Sequence, residues 1–195
     1  SFGPIQVNPT DQSFPGFSDD QYIFDGNGIV MGGDITLTGN QIHNWNIPLT
    51  VTSPRSFTMS GSLGGTIDLQ STLTITPHSA NDLQIGNEIS GPGSLIVGAN
   101  PGLTVSLQID NSYTGSTTLK SDGRLFIFGV DTSSTMTVES NALLQQIGGS
   151  TSSANWTVDG EALIGGTISG STTVQNSGSV IVDSGGTIGA ANVSG

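Results

Sequence analysis

The C-terminal third of this chain repeats itself, imperfectly and at short period. Thr157-Val158-Asp159-Gly160-Glu161-Ala162-Leu163-Ile164-Gly165-Gly166-Thr167-Ile168 is echoed by Thr173-Val174-Gln175-Asn176-Ser177-Gly178-Ser179-Val180 and by Val182-Asp183-Ser184-Gly185-Gly186-Thr187-Ile188-Gly189. A weaker copy is Thr137-Val138-Glu139-Ser140-Asn141-Ala142-Leu143. Echoes spaced by roughly 16 to 24 residues, each a short β-branched run closed by glycine, are the signature of a solenoid in which one coil stacks on the next. The pattern is broken off at Asn192-Val193-Ser194-Gly195, which predicts a further coil beyond this sequence.

Strand signals run back almost to the start. Tyr22-Ile23-Phe24 ends in Asp25-Gly26-Asn27-Gly28, Ile29-Val30-Met31 in Gly32-Gly33, and Asp34-Ile35-Thr36-Leu37-Thr38 in Gly39-Asn40. Ile47 to Val51, Phe57 to Met59, Thr66 to Leu69 and Ser71 to Ile75 continue the series. Apolar and polar residues alternate within these runs, and no window keeps helical spacing over three turns. The predicted organisation is an irregular leader or cap over residues 1–20, carrying Pro4, Pro9 and Pro15, followed by solenoid coils over residues 21–195. At roughly 20 to 25 residues per coil, about seven to nine coils are expected. Val, Ile and Leu would stack inward, Thr and Ser would cover the outside, and Gly and Asn would take left-handed corners.

Composition supports this and narrows function. The chain has 195 residues with 29 Gly and no Cys, and only 9% are charged, against about 25% in ordinary globular chains. Net charge is −12, and Arg55, Lys120 and Arg124 are the only Lys or Arg. Nucleic acid is therefore not an expected partner, because phosphate contacts need clustered cations. The absence of cysteine excludes disulfides and thiolate metal sites. No apolar run approaches 18 residues, so direct membrane insertion of this segment is not expected.

Candidate chemistry is sparse. His43 and His78 lack a second ligand at metal spacing and read as surface loop residues. Asp19-Asp20, Asp25-Gly26-Asn27-Gly28 and Gly32-Gly33-Asp34 loosely resemble oxygen-ligand calcium loops, but no distal bidentate Glu follows; they read as turns. Lys120 and Arg124 flank Asp122 in what reads as a solvated corner. Trp45 and Trp156 read as half-buried fillers rather than sugar platforms. No paired carboxylates and no nucleophile elbow are evident. The expectation is no catalytic residue, no cofactor and no metal.

One segment carries a family resemblance. Ile89 to Leu125 reads ISGPGSLIVGANPGLTVSLQIDNSYTGSTTLKSDGRL. Its Gly93, Leu95, Asn111, Tyr113, Gly115, Thr117, Gly123 and Leu125 resemble the autotransporter-associated β-strand repeat of passenger domains exported by Gram-negative bacteria. Ser116 stands where the family often has a second Gly, and Gln108-Ile109-Asp110 precedes the Asn. The resemblance implies an all-β, right-handed parallel β-helix of pectin-lyase-like architecture. It implies a non-enzymatic stalk or adhesive surface on a bacterial surface or secreted protein, with a C-terminal translocator barrel elsewhere in the full product. A host-cell or matrix protein, or a glycan, would be the partner. The alternatives are a secreted toxin passenger on the same fold, or a carbohydrate-active enzyme or phage tailspike. Within this segment Tyr113 is expected at a corner, its ring inward and its hydroxyl on a backbone group or water. Gly115 is expected at positive φ, with Leu119 and Leu125 pointing into the core.

Overall fold

The computed structural model describes residues 5–7, 21–37, 42–78, 81–148 and 150–194. The remainder of the predicted leader lies outside the described residues, as does the Gly39-Asn40 turn. Short β-branched runs cannot bury a face alone, and here they do so by coiling. The chain winds as a right-handed parallel β-helix of about nine turns, and every strand pairing among the described residues is parallel. Ile5–Val7 already belongs to this stack, pairing with Ile35–Leu37. From Ile35 onward, stacked partners lie 16 residues apart at the tightest coil (Asn155 to Ser171) and 22 at the widest (Ser94 to Ser116). That is tighter than expected, and the third-side strands Ile29–Val30, Ile89–Ser90 and Thr151–Ser152 have only two residues each.

Three faces result. The first carries the ladder Ile35, Phe57, Ile75, Val97, Leu119, Val138, Val158, Val174 and Val193, each aligned with the next. The second carries Phe24, Trp45, Leu63, Ile85, Leu107, Ile127, Gln146, Ile164 and Val182. On both, the intervening residues face outward, as the two-residue period of a strand requires. Each fully buried aliphatic side chain contributes about 1.5–3 kcal/mol, so the ladders are the main source of stability. An aromatic stack closes the N-terminal coils. Phe24 and Trp45 lie 5.3 Å apart, and Trp45 meets Phe57 edge-on at 5.2 Å.

Several side chains are deeper than their sequence context suggests. Trp45 and Trp156 are fully buried rather than half-buried. His43 is not on a surface loop: it lies in the strand Ile42–Trp45 with no exposed surface. The reason is register, since His43 occupies an inward position aligned with Gly61 and, beyond it, Leu83.

The alternation is explicit at Thr118 and Leu119. Leu119 is buried in the first-face ladder, while Thr118 faces outward between Ile96 and Thr137. Leu119→Asp should cost several kcal/mol in a denaturant melt, because it buries an unpaired charge. Thr118→Asp should cost under about 1 kcal/mol. The reverse order would put the register off by one residue.

Candidate functional site

The eight motif residues do not converge on one point. Leu95 and Leu125 are both buried, on the first and second faces respectively. Gly93 and Gly115 stack on each other, and their role is not the one expected. Neither has the left-handed conformation. Glycine is needed there because coil backbones come too close: a Cβ on Gly115 would overlap the Gly93 carbonyl, and one on Gly93 would overlap that of Ser71. The left-handed corner sits instead at Asp122 (φ 62°), one residue before Gly123, and recurs at Asn141 (φ 61°) and Asn176 (φ 47°). At each, a three-residue-back hydrogen bond closes the turn, as from Gly123 N to Lys120 O at 2.9 Å. Short polar side chains tolerate this conformation best after glycine. The corner at Lys120-Asp122-Arg124 is thus a turn, as expected.

Asn111, Tyr113 and Thr117 do come together, inside the rod. Tyr113 is fully buried, and its hydroxyl lies 2.5 Å from Thr117 Oγ1. Thr117 faces inward between Leu95 and Met136. Asn111 Oδ1 accepts the Ile89 amide at 3.0 Å, and Asn111 Nδ2 donates to Ile109 O at 2.8 Å. The Tyr113 hydroxyl therefore meets side chains, not the backbone group or water expected from sequence.

The next two coils complete this seam with residues that the sequence did not single out. Asp131 aligns with Asn111 before it and Ser152 after it. Its carboxylate accepts from Ser133 Oγ at 2.9 Å and from Ser133 N at 3.2 Å. Ser152 Oγ accepts from Trp156 Nε1 at 3.2 Å and from Ala154 N at 3.3 Å. Burial pushes the Asp131 carboxyl above its ordinary range, with hydrogen bonds from Ser133, Tyr113 and Ser152 pulling the other way. Burial, with the neighbouring Asp131 charge, pushes the Tyr113 hydroxyl well above its own. A carboxyl, a phenol and hydroxyls within bonding reach could in principle move protons. All of them are buried inside the rod. The signal for Asp131 was legible only by aligning Asn111-Ser112-Tyr113, Asp131-Thr132-Ser133 and Ser152-Ser153-Ala154 at their coil spacing.

Outside, several acids tie coil to coil. Asp34 Oδ1 accepts the Ser56 amide, Asp82 Oδ1 that of Thr104 and Asp110 Oδ1 that of Val130, each at 2.8 Å. Asn155 and Ser94 do the same for Ser171 and Ser116. Glu139 accepts the Ser121 amide and pairs with Lys120 Nζ at 2.6 Å; these hydrogen bonds hold its carboxyl below the usual range. Arg55 is also structural, donating to the Met31 and Gly32 carbonyls. Two open surface depressions, of about 390 and 360 Å³, contain Asp183 and Asp82 respectively, so neither offers an acid pair.

Of the stretches that resemble calcium sites, Asp19-Asp20 lies outside the described residues, and the other two spend their carboxylates in the same way. Asp25 accepts from Asn46 Nδ2 at 2.7 Å, and Asp34 is held by Ser56. No group of three or more His, Cys, Asp or Glu converges among the described residues. No family model, curated protein or solved structure matches this chain.

Two outcomes follow from this arrangement. Tyr113→Phe keeps the ring but strips a partner from the buried Thr117 and Asp131, and should cost about 1–3 kcal/mol in a denaturant melt. Thermal melting should be the same in excess chelator and in millimolar calcium. A rise on adding calcium would reveal an oxygen-ligand site, since a ligand that binds only the native state must stabilise it.

Proposed function

We propose that this chain is a non-enzymatic coil segment of an exported bacterial surface or secreted protein of the autotransporter-passenger kind, serving as a stalk or adhesive surface. The observation that carries the reading is the employment of the acids. Asp34, Asp82, Asp110 and Glu139 each hold the backbone of a neighbouring coil. Carboxylates used in this way extend and stiffen a rod. Glycoside hydrolysis needs two carboxyls facing one another across a cleft. The motif from Gly93 to Leu125 supports the same reading, because its glycines, Tyr113 and its leucines serve coil stacking. The outward face of the first sheet suits a contact surface: Thr74, Ile96, Thr118, Thr137, Thr157 and Thr173 run along it without a charge. Such a face favours neutral protein or glycan partners over nucleic acid or anionic lipid.

Antibody raised against the folded domain should label intact, unpermeabilised cells of the source organism or its culture medium, and protease added outside should remove the cell signal. Label that appears only after permeabilisation would contradict export. Incubation with neutral and acidic polysaccharides should release no new reducing ends or unsaturated products. Turnover that is lost on changing Asp82 or Asp183 would make the chain an enzyme.

A further inference from the structure

The third side of the rod changes character midway. Its inward ladder begins Ile29, Leu49, Ile67, Ile89, and it ends Ile168, Ile188. Between these stand Asn111, Asp131 and Ser152, in the same stacked positions. An aliphatic ladder would have continued without penalty, so the polar interruption demands a reason. We propose that Asp131 is a protonation-controlled lock: the neutral carboxyl closes the coils between Asn111 and Trp156 tightly, and its ionisation loosens them.

The geometry supports this from every side. Asp131 has no exposed surface, and among the described residues it is the one carboxylate so enclosed. The coil before it presents Asn111 and Tyr113, and Tyr113 is the titratable group that faces it. Its own coil presents Ser133. The coil after presents Ser152, itself bonded to Trp156, and the stretch from Leu143 to Trp156 contains no charged residue. The charged groups nearest along the chain are turned elsewhere. Asp110 is exposed and bonds Val130 N, Arg124 is exposed, and Glu139 pairs with Lys120 on the surface. No cation therefore offsets the desolvation of a charged Asp131, and burial without a counter-charge favours the neutral form. The surrounding hydroxyls can each donate or accept, so the network can be satisfied whether or not the proton is present. Only the neutral state avoids burying a charge.

The sign follows by linkage. A carboxyl whose native value is raised contributes stability that is full below the unfolded range, near about pH 3.9 for Asp. That contribution is lost as pH rises through the native value. Glu139 runs the other way: its native value is lowered, so its contribution is present above the unfolded range and is lost as pH falls. A global melt mixes the two, whereas a local readout separates them.

The test is amide hydrogen exchange, corrected for the intrinsic effect of pH, on the wild-type domain and D131N in mildly acidic and mildly alkaline buffer. In the wild type, peptides between Asn111 and Trp156 should exchange severalfold faster in alkaline than in acidic buffer, while those between Leu49 and Ile75 stay unchanged. In D131N the middle coils should be protected alike in both. A flat wild-type profile, or a pH dependence that survives in D131N, would overturn the lock. Carbon-13 titration of the wild-type carboxyls gives an independent reading that needs no variant. The Asp131 carboxyl should titrate above the exposed aspartates, and titration with or below them would refute the proposal.

Discussion

The parallel backbone ladder between coils is the constraint on which everything else in this molecule depends. Stacked strands lie about 4.8 Å apart, so each inward residue must sit on one that fits the same cross-section. Where the ladder is aliphatic, as from Ile75 through Val97, Leu119 and Val138, the fit is met by size alone. Where two coil backbones approach more closely, no side chain fits at all. Gly93 and Gly115 follow from that crowding, without a left-handed conformation.

Corners are where the ladder fails and side chains take over. At a bend the amide of one coil no longer faces a carbonyl of the next, and a buried or half-buried N–H must find another acceptor. Asp34, Asp82, Asp110, Asn111, Asn155 and Ser94 supply it, each from a neighbouring coil. Scattered carboxylates in this chain thus include several with a structural use. Net charge −12 then has a second consequence: with few cations to pair them, these acids keep the rod's surface negative and uncongenial to polyanions.

The interior seam shows the same economy in reverse. Tyr113, Thr117, Asp131, Ser133, Ser152 and Trp156 form a buried hydrogen-bonded set. Buried polar groups are tolerable only when their partners are present, and a half-satisfied set is worse than an apolar core. The seam therefore couples three successive coils, and a change in one member is felt by the others.

Strand alternation and the outward threonines were determined by the sequence alone, because the two-residue period decides inward from outward wherever a strand is long enough to show it. Leu119 against Thr118 belongs to this category. The tertiary structure decided the rest. Asp131 looks like a turn residue beside Gly129 and becomes buried only because Asn111 and Ser152 lie directly before and after it in the stack. His43 looks like a surface residue and is buried because its position aligns with the inward row of the second face. The left-handed corner falls on Asp122 instead of Gly115, since a turn's handedness depends on how the two strands it joins are placed. In each case the deciding contact is about one coil away in sequence. Local pattern carries the period of a solenoid, but which residues share a layer is fixed only when the coils are stacked.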